Sequence, residues 1–179
     1  MPFESSFPNL SFLSQSSKRL LGYIPEMPAV YDLLTVREHL EFILRSYKMT
    51  DDGNGDSLLE RFELWDKKDK LGKELSKGMQ QKLSICCALV HKPKVIIFDE
   101  PMVGLDPHAI KELKEIIREL KNNGASILIS THMLDSVESS FDKAYIMQKG
   151  EIRAERRADS ESDKTLEEIF FEITEGGNE

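Results

Sequence analysis

Val95-Ile96-Ile97-Phe98-Asp99-Glu100-Pro101 runs four apolar residues straight into two carboxylates and a proline. An unbroken apolar run of this kind is what a parallel strand covered on both faces requires, and it sets the expectation of an α/β sheet. Asp99 and Glu100 fall where the strand gives way to a loop, the place where open α/β sheets bind ligands. One carboxylate there can hold Mg²⁺ through water, and a second can orient and deprotonate an attacking water. Taken alone, the same residues also fit a strand end with two surface acids.

Upstream lies Leu75-Ser76-Lys77-Gly78-Met79-Gln80-Gln81. Ser76 suits a helix N-cap, and the helix it opens is expected to run to about His91, ahead of Pro93. With Gly78 leaving the backbone bare, that first turn points N–H groups and the positive helix end outward, which is an anion site. Downstream, Asp106 can cap a helix with Pro107 at its first position and Gly124 just past its end; Ile110, Leu113, Ile116, Ile117 and Leu120 form its apolar face. Ser126–Ser130 is expected as a second buried strand, 134–139 as a short helix and 143–147 as a third strand. Lys149-Gly150 is expected as a hairpin turn into a strand over 151–155, and 166–173 closes the chain as a helix. Strand–helix alternation of this kind means α/β with a mainly parallel sheet.

Toward the N-terminus the pattern is different. Residues 1–18 are Ser-rich without periodicity and are expected to form an irregular arm. A short strand over 19–24 is stopped by Pro25 and Pro28. Thr35-Val36-Arg37-Glu38 fits a capping box, followed by an apolar face of Val36, Leu40, Ile43, Leu44 and Tyr47. A polar loop over 51–56 precedes a second helix over 57–65. With the helix after Ser76, these make a helical subdomain at about 35–91 inside one domain of 19–175, leaving 176–179 as a tail.

Size and composition fit that organisation. The chain has 179 residues, 40% hydrophobic and 31% charged, enough for one domain with a real core. No apolar run reaches the ~18 residues of a membrane span, and without a basic start leading into an apolar stretch no secretory signal is expected. Adjacent Cys86 and Cys87 lack metal or redox spacing and read as buried small residues of a reduced protein. The net charge of −8, with ten acids against four bases after residue 150, argues against a nucleic-acid partner.

The order of these motifs resembles the ATP-binding cassette (ABC) family over about residues 19–175, ABC-2-type exporters included. The resemblance implies a P-loop NTPase (RecA-like) core with an inserted helical subdomain. It makes Asp99 the Walker B aspartate on Mg²⁺ and Glu100 the general base. Gly104-Leu105-Asp106-Pro107 is similar to the D-loop, whose aspartate organises the interface between two cassettes. Ser130-Thr131-His132 is similar to the switch loop, with His132 on the γ-phosphate; by itself, a histidine after a strand is as well read as structural. Ser76 and Gly78 stand in the signature, which binds ATP held by an opposing subunit; Lys77 and Met79 depart from the usual L-S-G-G-Q, and Lys77 is expected to face solvent. Glu26, in Gly22-Tyr23-Ile24-Pro25-Glu26, stands where most members have the Q-loop glutamine, and cannot donate as an amide does. A simple Pro-bounded turn is the other reading of that stretch.

ATP and Mg²⁺ are the implied cofactors. A second cassette and a transmembrane permease are the implied partners, which would place the chain in the cytoplasm on the inner face of the membrane. Yet no G-x-x-x-x-G-K-[ST] loop occurs in the sequence; the Gly72-Lys73 pair is followed by Glu74. Without that phosphate cradle the chain alone is expected to hold ATP weakly, and the strand over 126–130 to present an apolar edge. Three readings follow: an incomplete ATP-hydrolysing transporter subunit, a silent cassette donating its signature to a partner, or a soluble non-transport ABC ATPase.

Overall fold

Strands β1 (Leu21–Ile24), β2 (Val95–Asp99) and β3 (Ser126–Ser130) form a parallel sheet in the order β1-β2-β3, so all three C-terminal ends share one side. The register sets Tyr23 beside Ile97, Ile24 beside Phe98, and Asp99 beside Ser130. The computed structural model describes residues 15–160 and 164–175. By its contacts the chain divides into two units, Met1–Ser130 and Thr131–Glu179.

The sheet corrects the expectation of strands buried on both faces. Ile24, Ile96 and Phe98 are fully buried on one face. Val95 on the other face is 42% exposed and Leu128 is 61% exposed. Successive strand residues point to opposite faces, so only every second side chain of the apolar run reaches the core. Tyr23 and Ile97 on that second face are half-buried, and β3 is an edge strand of this sheet with Ile127 and Ile129 half-buried on the packed side.

The helices of the first unit follow local signals. Helix α1 (Gln15–Lys18) is one turn within the stretch expected as an irregular arm; residues 1–14 of that arm, and the 176–179 tail, lie outside the described residues. Helix α2 (Val36–Ser46) has the expected capping box: Thr35 Oγ1 accepts from the Glu38 N–H at 3.2 Å, and Glu38 Oε2 accepts from the Thr35 N–H at 2.7 Å. Val36, Leu40 and Leu44 are its buried face, with Ile43 packed beside them, while Tyr47 is its C-cap.

Helix α3 spans Asn54–Arg61, earlier at both ends than the expected 57–65. Asp51 and Asp52 side chains accept from the Gly53 and Asn54 N–H groups, and the Asn54 amide donates to the Leu89 and Val90 carbonyls. These bonds start the helix inside the polar stretch. It ends in a Schellman turn, with Glu63 at φ 57° and the Leu64 N–H reaching the Leu59 carbonyl at 2.8 Å. Trp65 therefore begins a separate 3-10 turn, Trp65–Lys67.

Helix α4 (Lys77–Leu89) starts at Ser76 and is buried along most of its length, and α5 (Pro107–Asn122) starts at Asp106 with Pro107 at its first position. Leu113, Ile116 and Ile117 of α5 are buried, and Ile110 and Leu120 pack beside them. Gly124, at φ 80°, follows its end. Gly22 lets β1 approach α4: a Cβ there would stand 2.8 Å from the Ala88 carbonyl. Cys86 is buried and Cys87 half-buried; burial pushes the Cys86 thiol well above its ordinary range.

The second unit holds α6 (Leu134–Val137), β4 (Lys143–Gln148), β5 (Glu151–Arg157) and α7 (Leu166–Glu175). Strands β4 and β5 pair with each other, antiparallel, as the hairpin expected at Lys149-Gly150 requires. Their turn, Lys149-Gly150, has both φ angles positive at 51° and 81°, as tight hairpins favour. Glu138 ties the unit together, taking Arg156 at 2.6 Å and the Leu166 N–H at 2.9 Å. Among the described residues no helix is long and apolar enough to cross a membrane.

Candidate functional site

Asp99 is the last residue of the central strand, and its neighbours on both sides hold it. Ser130 Oγ donates to Asp99 Oδ1 at 2.5 Å across the β2–β3 pair. Tyr23 sits diagonally across the β1–β2 pair on the same face, and its phenol also bonds the Asp99 carboxylate. Burial first, and then the carboxylate it donates to, push the Tyr23 phenol above its ordinary value. Two hydroxyl donors leave a carboxylate spare lone pairs, and oxygen is the donor that Mg²⁺ takes. The residues present therefore fit a hard cation at Asp99.

Glu100 follows with φ at 45°, a left-handed conformation uncommon outside glycine and further constrained by the proline after it. Its N–H donates to the Ser130 carbonyl at 2.9 Å, and its carbonyl accepts from the Val103 N–H at 3.2 Å. Backbone strain of this kind persists only where surrounding bonds over-determine it, and it gathers at working sites. Asp99 and Glu100 are thus set at the same end of the sheet, each by bonds to β3. Glu26 lies two residues beyond the end of β1 at that same end, and is exposed.

A second cluster forms at the start of α4. Ser76 Oγ accepts from the Met79 N–H at 3.3 Å, the cap expected of it, and Ser76 and Lys77 are exposed. A Cβ on Gly78 would stand 2.8 Å from the Gly104 carbonyl, which no side chain tolerates without a shift of backbone. Asp106 Oδ1 accepts from the Ala109 N–H at 2.9 Å, and Asp106 Oδ2 takes Lys82 Nζ at 2.7 Å. The Lys82 ammonium, then the helix N–H, hold the Asp106 carboxyl below the usual carboxylate range. Ser76, Gly78 and Asp106 are brought together, with Gly104 between.

His132 lies two residues past β3, in the second unit, and is exposed. The Thr131 hydroxyl accepts from the Met133 N–H at 3.0 Å, a turn that shapes this loop locally.

Three contributors escaped sequence reasoning: Tyr23, the Ser130 hydroxyl, and Lys82. A usable signal existed for Ser130, since the runs ending at Asp99 and Ser130 have equal length and should end level. Tyr23 and Lys82 had none, because each acts on a residue distant in the chain.

With this arrangement in place, comparison with known proteins is specific. The ABC transporter family model matches residues 9–103. EcsA of Bacillus subtilis strain 168, an ABC-type transporter ATP-binding protein, is 38% identical over 161 residues, which cover 85% of this chain and 65% of EcsA. YhaQ of the same organism, an uncharacterized ABC transporter ATP-binding protein, is 41% identical over 133 residues, 73% of this chain and 45% of YhaQ. The chain thus spans less than two thirds of the length of either relative. A solved structure of an ATP-binding subunit of an ABC transporter superposes with a TM-score of 0.81 at 35% identity, over 89% of this chain and 70% of that one. A carboxylate pair ending the central parallel strand, a Ser-capped helix packed on the next loop, and these matches lead to one conclusion: the chain belongs to the ABC transporter ATP-binding family.

Proposed function

We propose that this chain is the ATP-hydrolysing subunit of an ABC transporter, in which Asp99 and Glu100 act at one nucleotide site and Ser76 and Gly78 at another. The observation that supports it most is the Asp99–Glu100 pair at the C-terminal end of β2, with Asp99 held by hydroxyls from both flanking strands. Asp99 would hold Mg²⁺, which neutralises phosphate charge when bound. Glu100 takes the proton of the attacking water. Glu26 stays near the same sheet end as an acceptor, and His132 takes the γ-phosphate contact that its motif implies. Ser76 and Gly78 offer the first turn of α4 to the γ-phosphate of ATP on a second cassette, and Asp106 organises the facing surface.

Coupling to a separate transmembrane subunit falls to the segment after β1 and to α2, where Met27, Leu33 and Phe42 are exposed. That subunit would hold the chain peripherally on the inner face of the membrane. The phosphate cradle has no counterpart in this sequence, so ATP binding by the chain alone is expected to be weak.

The test is to extend the chain at its N-terminus with the phosphate-loop segment of a complete cassette and follow phosphate release with MgATP. Turnover is expected to appear, and Glu100→Gln to lower it by about 10²–10⁴-fold while ATP stays bound. Turnover unchanged by Glu100→Gln would refute Glu100 as the base. Micromolar ATP affinity in the unextended chain would refute the dependence on a supplied cradle.

A further inference from the structure

We propose that Lys82 is a positioning residue that locks the Ser76–Gly78 turn and the Gly104–Asp106 loop into one body, so that both meet a second cassette's ATP in fixed register. The inference rests on the reading above, in which the α4 turn acts on ATP held by another subunit. Gly78 and Lys82 are four residues apart on α4 and so share a face. Gly78 packs its bare backbone against the Gly104 carbonyl, and Lys82 binds Asp106 two residues further along that loop. Two ties one helical turn apart fix both the distance and the rotation of the loop against α4.

Lys82 is only 7% exposed, unusual for a lysine. Burying an ammonium is costly, and an apolar side chain of similar length would fill the space at less cost. What an apolar side chain cannot do is aim a carboxylate. Asp106 has one oxygen on the Ala109 N–H and the other on Lys82, so it is oriented completely from within the chain. Glu63, Asp106 and His108 place ligand atoms within 4.8 Å of one another, a spacing that would suit a metal ion. The Lys82 ammonium, at 2.7 Å from Asp106 and 3.6 Å from Glu63, already supplies the positive charge there. Two of the three, Glu63 and Asp106, are thus the carboxylates that hold Lys82.

The experiment has two arms on the full chain. In the first, amide exchange is followed by mass spectrometry in the wild type, Lys82→Met and Lys82→Arg. Lys82→Met is expected to speed exchange over 76–79 and 103–106 by about tenfold with helix content unchanged, and Lys82→Arg to restore protection. Unchanged exchange in Lys82→Met overturns the lock. Should Lys82→Met not fold, Asp106→Asn, which keeps an oxygen for the Ala109 N–H, is read in its place. In the second arm, light scattering follows MgATP-dependent association with a Walker A-bearing cassette whose own catalytic glutamate is glutamine. At matched thermal midpoints, Lys82→Met is expected to weaken association by about tenfold and Lys82→Arg to restore it. Absence of association in the wild type defeats the trans reading, while the exchange arm still decides the lock. Loosened exchange with wild-type association refutes the role in register.

Discussion

The two faces of one parallel sheet have opposite fates in this chain. One carries Ile24, Ile96 and Phe98 into a core shared with α2, α3, α4 and α5, where the largest side chains are fully buried. The other carries Val95 and Leu128 outward, together with Tyr23, Asp99 and Ser130 toward its C-terminal end. The buried face is complete within the described residues and positions the α4 turn and the Gly104–Asp106 loop. The open face holds the Asp99 carboxylate, proposed above to take Mg²⁺, beside apolar surface that water contacts. The difference separates what this chain builds by itself from what it offers to another segment or subunit.

The largest effect that tests this contrast is on the buried side. Phe98→Ala should cost about 3–5 kcal/mol, because the cavity would lie between β2 and helices that cannot collapse into it. Urea unfolding followed by circular dichroism measures it. A loss under about 1 kcal/mol would mean that the packed face does not carry the fold.

A smaller, pH-dependent effect belongs to the same side. His39 in α2 accepts from the Tyr31 N–H through Nε2 at 2.9 Å, and its Nδ1 lies 2.7 Å from the Thr35 carbonyl, so the neutral ring with the proton on Nδ1 satisfies both bonds. His91 reaches the Leu21 carbonyl at 3.1 Å and stacks on Tyr47. Burial lowers both imidazoles below their ordinary value, against a weaker upward pull from their carbonyl partners. The folded chain therefore binds protons at these rings less readily than the unfolded chain, whose histidines titrate near ~6.5. Their stabilisation is full above that pH and is lost as pH falls from there toward the lowered folded values. Losing the Tyr31 bond alone should cost about 1–3 kcal/mol. The carboxyls of Glu38 and Asp106 are held below the usual carboxylate range by the Thr35 backbone N–H and by Lys82, which moves them away from the neutral range. Urea midpoints at pH 7.5 and 5.5 check the sign; greater stability at pH 5.5 would contradict it.

What could be read from the sequence was local. The caps at Thr35, Ser76 and Asp106 each need only the next three residues, and all three stand as expected. The strand ending in Asp99-Glu100 needed only its own apolar run. What could not be read depends on register between distant segments. Tyr23 reaches Asp99 only because β1 pairs with β2 in one register, and Lys82 reaches Asp106 only because α4 lies on that loop. The bounds of α3 shifted for the same reason, since Asn54 finds its partners at the far end of α4. Glu63 ends that helix in a left-handed conformation that the sequence, lacking glycine there, gave no cause to expect. The open face escaped because apolar composition at Val95 and Leu128 says that a residue suits burial, not what buries it.

The smallest expected effect is therefore the sharpest test of the contrast. Leu128 lies mid-strand on β3, beside Ile97, with most of its side chain in water. Leu128→Thr introduces a β-branched residue suited to a strand and removes apolar surface from an open edge. If the face is open in the chain alone, stability should change by no more than about 0.5 kcal/mol, while the aggregated fraction seen by light scattering falls. A loss well beyond that would mean that something covers Leu128 in solution. Repeating the unfolding at two protein concentrations identifies a second copy as the cover, because only a bimolecular contact makes the wild-type midpoint rise with concentration. A concentration-independent loss would instead assign the cover to the chain itself and close the gap between the two faces.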